Sequence, residues 1–429
     1  MTGVNAQMPS VLFVSNVERG HPLLRSQGIP LVDRLSREGW RVGFLSIENR
    51  ETLSSTEDDR IRKLFGDRVA LYPVRMDRWM WLRGWVRKIL WGTLGALQVQ
   101  RQHRYRILHA RSFEPAVMAW LATMFYGGKW IYDTRNFFWE EKVELGRIGR
   151  NIFTRMGFAF DRYLVRKADT VIAVTEAARF EYAKQIGGGS LASRRQSPSP
   201  RRHSHESGNL DRADRLSVIH NNYDPQRFTI DAAARSSRRM ELGINDRHVL
   251  IYSGSLIKWH RFEDMATFCN QFQTKDTSGY TLWCSYEWNE ETERWAKTLL
   301  TGDYRLLRLA PAEVCPTLQA ADAGLMFLTL TKSRTTTIPI KFAEYLACGM
   351  PVVVNQGIGD SEEIVRRYRV GVVVQDMTDD GMDRAVDELL ELLSDPDVKE
   401  RAVEAARREF HLDKAIEKYR HCYQKLAST

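Results

Sequence analysis

Apolar residues along this chain fall into short unbroken runs, separated by longer stretches in which apolar and polar positions are mixed at helical spacing. SVLFVSN (10 to 16), RVGFLSI (41 to 47), RVALYPV (68 to 74), YRILHARS (105 to 112), KWIYDTRN (129 to 136) and DTVIAVTE (169 to 176) are rich in β-branched residues. Because they do not alternate with polar residues, they read as strands buried on both faces. Between them, stretches such as IPLVDRLSREG and EPAVMAWLATMFYG read as helices, the first stopped by Gly39. Strands and helices in alternation predict a parallel, doubly wound α/β sheet.

The second half repeats the pattern. HVLIYSG (248 to 254), TLWCSYE (281 to 287), AGLMFLTL (323 to 330), PVVVN (351 to 355) and VGVVV (370 to 374) read as strands, followed by a helical tail from about 377 to 426. A chain of 429 residues exceeds one ordinary core. The expectation is two Rossmann-like α/β domains facing a cleft, with ligands at the carboxyl ends of the strands. An acceptor-side domain is placed at 1 to 186 and a nucleotide-binding domain at 233 to 410. Residues 215 to 232 give a last strand and a linker, in which the HNNYDPQRF turn is structural and Phe228 is an anchor. A final helix over 411 to 429 is expected to pack back on the first domain. The stretch GGGSLASRRQSPSPRRHSHESGNLDRAD (187 to 214) has hardly an apolar side chain and reads as a disordered insertion.

Composition narrows the class. With 43% hydrophobic and 27% charged residues the chain reads as globular, and no run reaches the roughly 20 apolar residues that a membrane-spanning helix needs. The opening MTGVNAQMPS lacks the basic residues of a targeting segment, so a cytoplasmic location is expected. Five cysteines show neither C-x-x-C pairing nor a histidine cluster, which signals no disulfide framework and no zinc site. No D-x-D pair ends a strand, so no metal is expected.

Charge is uneven. Residues 1 to 217 carry 36 Lys and Arg against 22 Asp and Glu, whereas residues 218 to 429 carry 27 against 32. Much of the excess lies in MDRWMWLRGWVRKILWGTLGALQVQRQHRYR (76 to 106), where Trp79, Trp81, Trp85 and Trp91 accompany Arg78, Arg83, Arg87 and Lys88. Tryptophan suits a membrane interface and arginine suits lipid phosphates, so this stretch reads as an amphipathic helix on an anionic membrane surface. An ordinary core helix between the third and fourth strands is the alternative. Nucleic acid is not an expected partner, because no basic aromatic sheet surface is evident.

Two stretches carry candidate chemistry. In PIKFAEYLACGMPVV, Pro339 suits a first helical turn and Thr337 an N-cap, so a helix start opens at the end of a strand, where backbone N–H groups favour an anion. Lys341 there suits a bound phosphate and Glu344 can accept hydrogen bonds from sugar hydroxyls; the alternative is a solvated i, i+3 pair. In YSGSLIKWHRF (252 to 262), a strand ends in Gly254 and Ser255, which let an anion approach the backbone, and Lys258 and Arg261 can neutralise a diphosphate.

The ordered array LSVIHNNYDPQRF, HVLIYSGSLIKW, LQAADAGLMF, PIKFAEYLACGMPVVVN and GIGD resembles the donor domain of GT-B fold glycosyltransferases of family 4. The first half resembles the same family through the glycine-containing loop VERGHPLL, with Gly20, and through ILHARS and YDTRNFFWEEKVELG. The resemblance implies retaining, metal-independent transfer of a sugar from a nucleotide-activated donor, UDP- or GDP-linked, to an envelope glycan or lipid-linked acceptor. It implies that Glu344 holds the ribose hydroxyls and that Lys258 and Arg261 hold the diphosphate. The backbone at Ile340 and the loop Gly254-Ser255 would line the same pocket. His109, Arg111, Asp133 and Arg135 become acceptor-side candidates, with His109, Arg111 and Lys258 closest to the reacting groups; Asp133, Arg135 and Glu140 can equally be caps or ion pairs. Thr336 stands eight positions before Glu344, where the family often has a second glutamate, and this affects contact with the donor sugar. An epimerase of the same fold, acting without an acceptor, and a non-catalytic scaffold are the rival readings.

Overall fold

The computed structural model describes residues 9–16, 24–49, 55–76, 84–187, 214–257 and 259–428. Gly20, Trp79, Trp81, Arg78, Arg83, Lys258 and nearly all of the 187 to 214 insertion lie outside the described residues. The chain divides into two compact units, Met1–Ile219 with Ala415–Thr429, and His220–Lys414.

In the first unit, the strands are β1 (Ser10–Ser15), β2 (Arg41–Asn49), β3 (Val69–Met76), β4 (Ile107–Arg111), β5 (Lys129–Asp133), β6 (Thr170–Ala173) and β7 (Leu216–Val218). They form one parallel sheet in the order β3-β2-β1-β4-β5-β6-β7. The second unit contributes β8 (His248–Ser253), β9 (Gly279–Cys284), β10 (Tyr304–Leu307), β11 (Ala323–Met326), β12 (Val352–Asn355) and β13 (Gly371–Val374). These give a parallel sheet ordered β10-β9-β8-β11-β12-β13. Unbroken runs such as Val11 to Val14 and Val352 to Val354 are fully buried because helices cover both faces of each sheet. In each sheet the order reverses once, between β1 and β4 and between β8 and β11, and doubly wound folds bind ligands at such switch points.

Three local expectations are corrected. The strand β10 was not among the expected strands, because its four residues give no long apolar run: Arg305 is exposed and the others are only half-buried. The tail is three helices, Asp379–Ser394, Val398–Glu409 and Leu412–Ser428, because Pro396 cannot continue the first and the second ends at Phe410. Thr337 is not the cap of helix Ile340–Ala347. Pro339 holds that place, and the Thr337 hydroxyl donates to the Ser333 carbonyl at 3.1 Å.

Helix Gly84–His103 buries Gly92, Ala96 and Val99 and exposes Leu90, Trp91 and Leu94. A Cβ at Gly92 would lie 2.4 Å from Met118 Cε, and one at Gly95 2.6 Å from Val74 Cγ2, so both glycines set close packing on this face. Among the described residues, no helix is long and apolar enough to cross a membrane.

Candidate active site

Strand β8, which borders the second sheet's switch point beside β11, ends at Ser253, and Gly254 and Ser255 follow it. Helix Ile340–Ala347 is anchored over this strand end by Tyr345, whose hydroxyl accepts the Ser253 N–H at 2.8 Å. Gly324 of β11 makes room for that ring, since a Cβ there would meet it at 2.2 Å. Lys341 precedes Tyr345 by one turn and shares its face. Its side chain is buried, with the ammonium 4.2 Å from the Tyr252 ring centroid.

That ammonium has no hydrogen-bond partner among the described residues. A buried, uncompensated charge is costly, and burial pushes the Lys341 pKa down to about 7. Nearby, burial together with the charges of Lys341 and Arg334 lowers His260 to about 2, so its ring is neutral. Arg334 stacks on the Trp259 ring at 4.3 Å. The Glu344 carboxyl is pushed up to about 7 by burial, against the pull of Arg227 and Lys341. The result is a concentration of positive charge with aromatic walls and one carboxyl of adjustable protonation. Such a cluster of groups can attract an anion and accept hydrogen bonds from hydroxyl groups.

Lys341, Glu344, Ile340 and Gly254 are thus brought together, but Gly254 acts otherwise than expected. Its N–H donates to the Cys284 carbonyl at 2.9 Å and the Leu256 N–H donates to the Glu287 carboxylate, so neither is turned to an anion. What Gly254 supplies is space, because a Cβ there would lie 2.4 Å from Lys341 Nζ. Ser255 contributes its carbonyl, which accepts the Tyr252 hydroxyl at 2.5 Å. Arg261 is held by Asp264 through two contacts, at 2.5 and 3.1 Å, so its charge is already engaged. Thr336 is buried and donates to the carbonyls of Lys332 and Ser333, which makes it a fastening of the preceding loop. Tyr252, His260 and Arg334 were not singled out in the sequence. Their signal was the density of basic and aromatic residues in the two loops that follow strands.

Gly254→Ala is expected to displace the lysine head and lower nucleoside diphosphate affinity about tenfold. The melting temperature should fall as well, since φ at this position is +158°, a backbone conformation that a residue with a Cβ rarely adopts; calorimetric titration and thermal unfolding check both. A second expectation concerns pH. Lys341 loses its charge as pH rises through about 7, and Glu344 loses its charge as pH falls through about 7. Nucleotide affinity should therefore peak near neutrality. Titrations from pH 5.5 to 8.5 should show Lys341→Met losing the alkaline fall and Glu344→Gln losing the acid one.

In the first unit, β4 carries His109 and Arg111, and β5 ends at Asp133. His109 Nε2 lies 3.2 Å from Asp133 Oδ2, and its Nδ1 is hydrogen-bonded to the Tyr423 hydroxyl. Tyr419 donates to Asp133 Oδ2 at 3.1 Å and accepts from Arg135. Arg135 Nε is 3.1 Å and Arg111 Nη1 3.7 Å from the same carboxylate, and Arg111 also donates to Gln27. Burial alone would push the Asp133 carboxyl up, but Arg135, His109 and Arg111 hold it well below the usual carboxylate range. Burial lowers the His109 pKa, so the ring stays neutral.

Of the acceptor-side candidates, Asp133 and Arg135 form the ion pair that stood as their alternative reading. His109 and Asp133 are wholly enclosed, with Tyr419 and Tyr423 of the last helix as their partners. Those tyrosines were missed; their signal is the buried stripe Ala415, Ile416, Tyr419, Tyr423 and Leu426 at helical spacing. Arg135 adopts φ of +53°, a strained value for a side-chain-bearing residue, which the network holds in place. Glu140 sits in the first turn of helix Phe138–Glu144, five residues after Arg135.

The site geometry can be set against known proteins. The model of the glycosyl transferase 4-like domain matches residues 30–190, and that of the glycosyl transferases group 1 matches residues 238–409. No curated protein matches the chain by sequence. Among solved structures, HepE from Anabaena in complex with UDP-glucose has a TM-score of 0.66 at 14% identity, covering 98% of this chain and 100% of that one. Sucrose-phosphate synthase from Thermosynechococcus elongatus has a TM-score of 0.71 at 11% identity, with coverage of 98% and 99%. WaaG, a glycosyltransferase involved in lipopolysaccharide biosynthesis, has 0.61 at 13%, covering 95% and 98%. At such identities these likenesses show the fold, while the two family models in series span most of the chain and correspond to its two units. The chain belongs to the GT-B glycosyltransferases, with a glycosyl transferase 4-like domain followed by a glycosyl transferases group 1 domain.

Proposed function

We propose that this glycosyltransferase moves a sugar from a UDP- or GDP-linked donor to a lipid-linked or envelope-glycan acceptor at the cytoplasmic face of a membrane. In this reading the anomeric configuration is retained and no metal ion takes part, the counter-charge coming from the protein's own cations. The observation that carries the proposal is the buried ammonium of Lys341, without a hydrogen-bond partner among the described residues, beside Gly254 at the sheet's switch point. As the bond from sugar to diphosphate breaks, negative charge grows on the departing oxygen, and a preplaced ammonium stabilises it. A bound diphosphate also raises the lysine pKa, so binding takes up the proton that the empty site sheds near pH 7. Glu344, one turn along the same helix, accepts hydrogen bonds from the ribose hydroxyls once ionised.

Support for the nucleotide comes from the HepE complexes with UDP-glucose and with UDP. Support for the acceptor comes from the involvement of WaaG in lipopolysaccharide biosynthesis and from the exposed Leu90, Trp91 and Leu94 on a helix that also carries Arg87 and Lys88. The test is to supply UDP- and GDP-sugars with and without an anionic lipid extract and to follow nucleoside diphosphate release. Release that requires both donor and extract, and that Lys341→Met slows, is the expected result. Release that is the same without any acceptor would sink the transfer to lipid.

A further inference from the structure

We infer that the first unit contains a binding site for the hydrocarbon chain of an anionic lipid, in a cavity walled by helices Gly84–His103, Phe113–Tyr126, Phe138–Glu144 and Ile152–Lys167. The cavity has a volume of about 800 Å³, within the range of sites that enclose small organic ligands. Its wall is built from Trp85, Ile89, Phe113, Val117, Trp139 and Phe160. Among the residues lining it, apart from the tryptophans, only Asn151 and Thr154 carry polar groups, and these are spent on each other in a capping box at the start of helix Ile152–Lys167. A wall of this kind offers little to a sugar or a nucleotide and much to a row of methylene groups.

Three further observations point to a lipid in particular. First, the rim is apolar and open to solvent, with Phe153 73% and Met156 62% exposed at the first turns of a helix. Exposed apolar patches of this kind mark contact surfaces. Second, residues 145 to 160 include Arg147, Arg150 and Arg155, all exposed, and no acidic residue, which complements an anionic head at the mouth. Third, Trp139 is 5% exposed, and its indole N–H has no hydrogen-bond partner among the described residues. A donor in the wall is suited to a lipid oxygen. Gly157 sets this wall, since a Cβ there would lie 2.4 Å from the Trp139 ring. A flat apolar face would suit a second copy of the chain as well, whereas a cavity with exposed arginines close in sequence to its apolar rim suits one narrow chain with a charged head. That this lipid is the sugar acceptor rests on the proposed function.

The test uses the full chain titrated calorimetrically with octyl, decyl and dodecyl phosphate below their micelle concentrations. Binding should be 1:1, with affinity rising by about fourfold per added methylene. Filling the cavity by Ile89→Trp should abolish the rise. The rim variant Phe153→Asp with Met156→Asp alters only exposed positions, so it should fold normally and bind dodecyl phosphate at least about tenfold more weakly. Thermal stabilisation by UDP and GDP is measured on the same samples. No binding of dodecyl phosphate, or binding unchanged in both variants, overturns the site even where a nucleotide stabilises the protein. Binding of the alkyl phosphate with no stabilisation by either nucleotide leaves the chain site standing and overturns its assignment to a sugar acceptor. Self-association that the rim variant abolishes, without alkyl phosphate binding, makes the patch an interface between copies and also overturns the site.

Discussion

Lys341→Met should weaken nucleoside diphosphate binding by about 10- to 100-fold and leave the melting temperature unchanged or higher. Charge-assisted hydrogen bonds contribute about 1.5–3 kcal/mol each, and 1.4 kcal/mol is a factor of ten in affinity. Methionine keeps the length and apolar stem of lysine but removes a charge whose burial lowers its pKa to about 7. Folding therefore loses a penalty while binding loses a contact. A lysine that merely packed against Tyr252 would give the opposite pattern: lower stability and unchanged affinity. Calorimetric titration with UDP and GDP at pH 6.5, where the ammonium is charged, separates the two outcomes.

The second large effect lies in the other unit. Asp133→Ala should destabilise the protein by about 3–5 kcal/mol, because it removes a buried counter-charge shared by Arg111 and Arg135, whose side chains are mostly out of water. It also removes the partner of the Tyr419 hydroxyl, and through His109 it loosens the seat of Tyr423. The pH dependence has a definite sign. The folded carboxyl is held below its ordinary value, near 3.9 for an unfolded aspartate, so its stabilisation is present above pH 4 and lost as pH falls below it. Urea unfolding at pH 7 and pH 3 should show the gap between wild type and variant narrowing at the lower pH. An equal gap at both would mean that packing, not charge, explains the loss.

The contrast between these two clusters shows what could be read from the chain. Unbroken apolar runs located most of the strands because such strands are buried on both faces, whereas β10, four residues long with Arg305 exposed and the others only half-buried, left no such mark. Lys341 and Glu344 were legible as a pair on one helix at the end of a strand, since both are local to one stretch. Where Lys341 points was not legible. It depends on Gly254 and on Tyr345 meeting Ser253, 92 positions away. His109 shows the limit more sharply: the family resemblance implied an acceptor-side role, yet its hydroxyl partner is Tyr423, 314 positions along the chain. A residue's type states what it can do, and only its distant neighbours decide whether it meets solvent.

We propose that the cationic cluster at the end of β8 seats a nucleoside diphosphate. Its most direct test is a thermal-shift titration of the wild-type protein and of Glu344→Ala with UDP and GDP at pH 7. At a ligand concentration 100 times the dissociation constant, the wild type should gain about 2.7 kcal/mol of stability, seen as a rise of several degrees. Glu344→Ala should start from nearly the same melting temperature and show little of that rise. A wild type that neither nucleotide stabilises, or a variant that responds as fully as the wild type, would contradict it.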